Sequence, residues 1–259
     1  MIGCIIQART GSSRLPGKAM KLLDKKNTIL HYVVSQLQHS ELLDDIVIAT
    51  TDLEEDNIIA KFAQENEFKC FRGSEKDVLD RHYQCAKKFA FSTIVRIPSD
   101  KPLIDPQIVD DVIKVFLKSK YDYVSNFLPY TFPYGTEVEV FSFEALEKTW
   151  KMAKLPSERE HVTPYIYNHK DEFKIFNVTS SKDLSHLRWE VDREKDLELV
   201  KIIVERIKNR PILLKDIMNL YSEEPTLFNM NKNDNPNEGY LKSLKEDKEF
   251  VKKEKSKHG

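Results

Sequence analysis

The residues with the clearest chemical potential sit in one run, Gln7-Ala8-Arg9-Thr10-Gly11-Ser12-Ser13-Arg14-Leu15-Pro16-Gly17-Lys18. Three cations, Arg9, Arg14 and Lys18, fall in a stretch whose glycines and serines let backbone amides come close to an anion. Exposed amides with convergent cations make a phosphate cradle. A Walker A loop places four residues between its first Gly and Gly-Lys and follows with Ser or Thr. Here five residues separate Gly11 from Gly17-Lys18 and Ala19 comes next, so the loop is of another kind. Nor does it hold a G-x-G-x-x-G dinucleotide fingerprint. The plainer alternative is a basic surface loop that merely joins a strand to a helix. Against it stands the cationic density at the C-terminal end of the first strand, where open α/β sheets place ligands.

The elements around this run must hold it in place. Ile2–Gln7 and Asp45–Thr50 are short, β-branched and bounded by polar residues, the pattern of buried strands. Between them Thr28–His39 carries Ile29, Leu30, Val33, Val34 and Leu37 at helical spacing. Asp52 and Glu55 have the spacing of a capping box and predict a helix from there to about Asn66. Further strands are expected at Lys69–Phe71, Ser92–Ile97 and Tyr121–Ser125, and a helix over Asp77–Phe89. Another helix starts at Pro106, a residue favoured at the first helical position, and runs to about Ser119. This alternation predicts an α/β protein, a Rossmann-like three-layer sandwich with a mainly parallel sheet.

Residues 130–187 are less regular and are read as an inserted lid or acceptor platform. Strands are expected there at Val138–Phe141 and Phe173–Val178, with helices over Phe143–Met152 and Ser157–Asn168. A strand at Leu187–Val191, a helix over Arg193–Lys208 and a last packed helix at Leu213–Tyr221 complete a domain of residues 1–221. Residues 222–259 turn polar, with runs such as Lys245-Glu246-Asp247-Lys248, and are expected to form a solvated helix or a disordered tail.

Composition removes several classes of function. Of 259 residues 40% are hydrophobic, enough for a substantial core, and 41 Lys+Arg against 42 Asp+Glu leave a net charge of −1. That balance gives no footprint for nucleic acid or an anionic membrane. Apolar runs such as Ile46-Val47-Ile48 fall far short of a bilayer span of roughly 20 residues. The first residues lack the basic n-region of a signal peptide. Cys4, Cys70 and Cys85 are odd in number and widely spaced, which fits reduced thiols and a cytoplasmic location.

The basic loop resembles the A-R-x-G-S-x-R-L-P-G-K signature of the CMP-KDO synthetase-like cytidylyltransferases, and is especially similar to their spore-coat-polysaccharide branch. The resemblance extends to Phe71-Arg72-Gly73-Ser74-Glu75-Lys76-Asp77-Val78-Leu79-Asp80-Arg81, to Arg96-Ile97-Pro98-Ser99-Asp100-Lys101-Pro102-Leu103-Ile104-Asp105, and to Arg188-Trp189-Glu190-Val191-Asp192. It covers roughly residues 1–220. It implies the nucleotide-diphospho-sugar transferase type of fold. It also implies transfer of CMP from CTP to a small anionic acceptor, with release of pyrophosphate, in surface polysaccharide or glycan synthesis.

By that resemblance Arg9, Ser13, Arg14 and Lys18 hold the triphosphate, and Arg14 and Lys18 offset charge on the departing pyrophosphate. Asp100 and Asp192 match the carboxylates that bind Mg²⁺, a hard cation that takes oxygen ligands. Ser99 and Lys101 replace the usual Gly and Glu on either side of Asp100. Cytosine and ribose contacts are implied for the loop residues Ala8, Gly11 and Ser12 and for Arg81, with Arg72, Ser74, Pro98 and Ser99 nearby. Glu137 and Glu139, in Pro133–Glu139, and Arg159 and His161, in Ser157–Thr163, fall in segments similar to the same branch and are candidates to meet the acceptor. A homodimer with the insertion at its interface is also implied.

The plainer readings are specific. Asp192 can be a simple N-cap of the following helix, Asp80-Arg81 an exposed pair, and Arg159 and His161 surface residues. The acceptor stays open between a sugar acid, a sugar or polyol phosphate and a phosphonate, and with it the need for a general base. A GT-A-like glycosyltransferase shares such a core, but it usually carries a D-x-D triplet where this chain has Ser99-Asp100-Lys101. A nucleotide-binding subunit without turnover is the third reading, and the retained cations and carboxylates stand against it.

Overall fold

The structure, a computed structural model, describes residues 1–232 and 238–257, with the side chains of 254, 255 and 257 set aside. Its centre is a seven-stranded sheet of order β3-β2-β1-β4-β6-β5-β7. The strands are β1 (Ile2–Gln7), β2 (Asp45–Thr51), β3 (Lys69–Gly73), β4 (Thr93–Pro98), β5 (Tyr123–Ser125), β6 (Glu139–Ser142) and β7 (Ile175–Asn177). β1 runs parallel to both β2 and β4, and Gln7 at its end lies opposite Ala49 and Pro98. The chain therefore leaves these strands on one edge of the sheet. β6 is antiparallel to β4 and β5, and β7 is parallel to β5. The sheet is thus mainly parallel, with one reversed strand carrying Glu139 beside β4.

Period-two alternation assigns each strand residue to a face. Cys4 and Ile6 pack with α1 (Ile29–Leu37), α2 (Asn57–Glu65) and α4 (Pro106–Lys118). Ile5 packs on the other face with α3 (Val78–Lys88) and α5 (Phe143–Met152). The insertion adds two short helices, α6 (Pro156–His161) and α7 (Pro164–Asn168). A third cluster joins α8 (Glu194–Arg206) and α9 (Leu214–Glu223) to the fully buried Trp189 and Val191. α10 (Glu238–Lys257) ends the described chain.

One buried side chain ties three of these parts together. Gln36 of α1, 1% exposed, donates from Nε2 to the carbonyls of Ile104 (3.0 Å) and Ile212 (2.6 Å) and accepts the Ile212 N–H (2.9 Å). Ile104 lies in the loop that begins just after β4 and carries Asp100, so a polar core residue steadies that loop from behind.

Four expectations are corrected. Asp52 does not cap a helix: its N–H bonds Gly73 O, a 3₁₀ turn follows at Glu54–Asp56, and α2 starts at Asn57. The carboxylate that matters is the buried Asp56, which accepts Thr10 N–H (2.7 Å), Thr10 Oγ1 (2.8 Å) and the Thr51 hydroxyl, so it anchors the basic loop. The single helix expected over Ser157–Asn168 is two, broken at Val162 (φ 73°) before Thr163-Pro164. Pro164 brings no N–H to a continuing ladder and sits instead at the start of α7, where none is needed. Leu187–Val191 forms no named strand, because its N–H groups find different neighbours: Trp189 bonds Tyr134 O and Val191 bonds Asp100 O.

The fourth correction concerns the tail. The Lys-Glu run was expected in solvent, yet α10 packs on α6. Asp247, 8% exposed, accepts Ser157 N–H (2.9 Å) and Oγ (2.6 Å). Ser243 meets His161 Nε2 at 3.0 Å, and the Tyr240 ring stands edge-on to His161. A helix with little apolar surface docks here through buried polar contacts, which a hydrophobic pattern does not register. Residues 233–237 and 258–259 of the expected tail lie outside the described residues.

Two outcomes follow from this packing. Gln36→Leu strands two carbonyls and an N–H in the core, and is expected to cost about 2–4 kcal/mol in denaturant unfolding. Burial, then Arg96, pushes His161 down to about 4 from 6.5. The unfolded chain takes up this proton first, so stability is lost as pH falls from about 6.5 towards about 4. His161→Gln is expected to lose less stability than the wild type across that window, read from urea midpoints at several pH values.

Candidate active site

A cleft of about 1190 Å³ opens along the edge where β1 and β4 end. Its first wall is the basic loop. Gly17 has φ 65°, a left-handed conformation, and its N–H closes on Thr10 O at 2.9 Å. A Cβ there would meet nothing within 4 Å, so glycine is required by the backbone angle rather than by space. That turn swings the chain round so that Arg14 and Lys18 both face the second wall, formed by Asp100 after β4 and Asp192 before α8.

Lys18 Nζ lies between these two carboxylates, 2.7 Å from Asp100 Oδ2 and 2.8 Å from Asp192 Oδ1, and also donates to Val191 O at 3.0 Å. Arg14 Nη2 reaches the same Asp192 oxygen at 2.8 Å, and Arg188 Nη2 holds the other at 2.9 Å. Burial would raise the Asp192 carboxyl, but Lys18 and Arg14 outweigh it and hold it well below the usual carboxylate range. The same carboxylates outweigh the desolvation of Lys18 and keep its ammonium charged. Asp192 is therefore no mere cap: the N–H groups of Asp192 and Arg193 at the start of α8 go to Asp196 Oδ2 instead (3.0 and 2.8 Å).

Sequence reasoning assigned nothing to Glu190. It stands two residues before Asp192, on the side of the chain opposite the buried Trp189 and Val191, and offers an oxygen within 4.8 Å of those of Asp100 and Asp192. Burial first, then Asp100, Asp192 and Glu137, push its carboxyl up to about 8. Its signal in the sequence was the same-side spacing with Asp192 in Glu190-Val191-Asp192.

The remaining expected nucleotide residues divide in two. Ala8, Gly11, Ser12 and Ser13 line the cleft with the loop, as do Pro98 and Ser99 with Asp100. Arg81 also reaches the wall, and at 1% exposure it is no surface pair with Asp80; its Nη1 donates to Ser74 O at 2.8 Å. Arg72 and Ser74 do not line it. Arg72 is spent on Thr51 O, Leu53 O and Asn57 Oδ1, and Ser74 Oγ accepts Asp77 N–H. An arginine at the end of β3 satisfies the carbonyls of the turn beside it before it can reach across the sheet edge.

The other end of the cleft gathers the acceptor candidates. Glu139 takes Arg96, Tyr123 Oη (2.7 Å) and Thr163 Oγ1 (2.5 Å), and Arg96 Nε also reaches Gln7 Oε1 (3.1 Å). Glu137 holds Lys101 Nζ at 2.6 Å with both side chains buried. The cation that replaces the usual Glu beside Asp100 is thus directed at Glu137 rather than at the carboxylate pair. Arg159 is bonded to Asp77 and to Trp150 O, Glu160 to Arg9 at 2.8 Å, and His161 to Ser243 of α10. Consecutive residues of α6 therefore reach α3, the basic loop and α10. Arg96, Glu160 and the α10 residue Tyr240, unassigned from sequence, line this wall as well.

Asp100, Glu190 and Asp192 suit a hard divalent cation. All donors are carboxylate oxygens, Asp100 Oδ1 is buried without a hydrogen-bond partner, and a positive charge, that of Lys18, already lies between two of the three.

Comparison with known proteins identifies the family. The sequence model of the family described as cytidylyltransferase matches residues 3–258. The chain is similar to the protein MJ1063 of Methanocaldococcus jannaschii, 39% identical over 88% of this chain and 93% of that protein. It is 31% identical to the spore coat polysaccharide biosynthesis protein SpsF of Bacillus subtilis, over 85% of this chain and 94% of the other. Among solved structures, a cytidylyltransferase from Leptospira borgpetersenii superposes with a TM-score of 0.85 at 31% identity, covering 90% of this chain and 98% of that one. The chain belongs to the cytidylyltransferase family.

Proposed function

We propose that this enzyme transfers CMP from CTP to a small anionic acceptor on the route to a surface glycan and releases pyrophosphate. The observation that carries the reading is Lys18 held between Asp100 and Asp192 at the mouth of the basic loop. Phosphate-seeking cations and metal-seeking carboxylates share one point of the cleft, as a nucleotide triphosphate with its divalent ion requires. The family name supplies CTP, and the role in the name of the Bacillus subtilis relative supplies the glycan context.

The chemistry is displacement at the α-phosphorus. An acceptor oxygen bonds to the α-phosphorus as the bond from that phosphorus to the oxygen bridging the α- and β-phosphates breaks; that oxygen leaves on pyrophosphate with the electron pair, and the proton of a hydroxyl acceptor passes to water. Little covalent work falls to the protein, so positioning and charge neutralisation dominate. Arg14 and Lys18 are in place to turn from the carboxylates to the triphosphate and offset the charge on the leaving group. Arg14 can meet two oxygens at once, whereas Lys18 acts as a point charge. Asp100 and Asp192 are the residues that would hold Mg²⁺, which when bound neutralises phosphate charge and orients the α-phosphate. Backbone and side chains of Ala8, Gly11, Ser12, Ser13 and Arg81 would seat the nucleoside. Glu137, Glu139, Arg159 and His161 would shape the acceptor end.

The direct test is a CTP-dependent pyrophosphate assay with Mg²⁺ across sugar acids, sugar phosphates, polyol phosphates and phosphonates. Turnover with one class and with CTP over the other nucleotides is the expected result; sugar transfer from a preformed nucleotide sugar without CTP would replace this reading with glycosyl transfer. Asp100→Ala is expected to lower turnover at least about 100-fold, with circular dichroism and melting temperature close to the wild type. Near-normal turnover in that variant would remove Asp100 from the ion site.

A further inference from the structure

We propose that Glu190 is a third carboxylate anchor of the divalent ion, an inference that rests on the cytidylyltransferase reading above. Its position is set by the backbone rather than by chance. Trp189 and Val191 are fully buried against the α8–α9 cluster, so the residue between them faces the cleft. Gly135 (φ 103°) packs against the same segment so closely that a Cβ would lie 2.7 Å from Glu190 N. The chain is clamped from both sides at the point where this carboxylate emerges.

Among the described residues Glu190 has no hydrogen-bond or ion-pair partner. The cations whose charges act on it are engaged elsewhere: Lys101 is bonded to Glu137 at 2.6 Å, and Arg14 and Arg188 to Asp192. Every other carboxylate named in the cleft is paired. A partly buried carboxylate left beside two others is repelled by both, and such a group persists where a cation of higher charge is to arrive.

The pairing of the neighbouring charges points the same way. Lys18 and Arg14 rest on Asp100 and Asp192, and Arg188 is shared between Asp192 and Asp196. When Lys18 and Arg14 turn to a triphosphate, Asp100 gives up its cation, and a divalent ion held by Asp100, Glu190 and Asp192 takes that place. Glu190 thereby couples ion binding to nucleotide binding.

The test is Mn²⁺ binding to the full-length protein at saturating CTP without acceptor, followed by water-proton relaxation, in the wild type, Glu190→Gln and Asp100→Asn. Glu190→Gln is expected to weaken Mn²⁺ by about ten- to a hundredfold. Its ion-free melting temperature is expected to match or exceed the wild type, since an amide replaces an unpaired carboxyl of the same shape, while the rise caused by Mn²⁺ with CTP shrinks. Wild-type Mn²⁺ affinity in Glu190→Gln, with Asp100→Asn weakened, would overturn the proposal and leave the cytidylyltransferase reading intact. A lower ion-free melting temperature with unchanged Mn²⁺ affinity would make Glu190 a structural residue and overturn it too. No Mn²⁺ uptake by the wild type beyond that of CTP alone would overturn both.

Discussion

The structure turns on an ammonium held between two carboxylates that are 82 and 174 residues away from it along the chain. Neither pairing is a local accident. Lys18 ends a loop whose turn depends on Gly17 and whose base is pinned by the buried Asp56. Asp100 follows the strand next to β1, and Asp192 enters where Val191 N–H bonds Asp100 O. Three segments meet only because β1 and β4 end level with each other, so the parallel register of the sheet is the condition for the clasp. An exposed pair of this kind contributes little. Here the side chains are 13%, 16% and 6% exposed; removing Lys18 would strip Asp100 of its ion-pair partner, whereas Lys18 keeps Asp192 when Asp100 is removed. On the proposed reading the clasp also preloads the site, with the cations that would meet phosphate stored on the carboxylates that would hold the ion.

The rest of the cleft wall is held by the same pairing of charges. Arg96, Lys101, Arg159 and Arg9 each rest on a carboxylate, of Glu139, Glu137, Asp77 and Glu160 respectively. α6, only six residues long, cannot hold itself as a helix. It is held by what its side chains reach and by Asp247 of α10 at its start. The C-terminal helix is therefore a wall of the cleft rather than an appendage. Through Glu238 it also approaches Arg14, at 3.7 Å, so the same helix touches both ends of the site.

Much of this was legible in the chain because it is periodic or punctuated. β1, β2, β4 and the helices of the first half announce themselves through β-branched runs, apolar stripes and Pro106. The basic loop does so through its density of cations and glycines. The resemblance of four ordered motifs supplied Asp100 and Asp192, which no spacing rule would pair. What stayed hidden was long-range or polar. Asp56 carried no signal in the sequence, because the loop residue that it holds, Thr10, lies 46 residues away. Arg72 shares a motif with Arg81, yet local carbonyls claim it, whereas Arg81 is drawn into the wall. Glu190 was in view inside the motif, and its side of the chain follows from two buried neighbours. Asp247 was lost in a charged run, since one buried carboxylate among many solvated ones leaves no trace in composition.

The central claim is that Lys18 exchanges the two carboxylates for the nucleotide. A crystal structure of the protein with CTP and Mg²⁺ measures this directly. The account predicts Lys18 Nζ within hydrogen-bond distance of a triphosphate oxygen, no longer bridging Asp100 and Asp192. Lys18 still seated between both carboxylates, with the triphosphate bound elsewhere in the cleft, would contradict it.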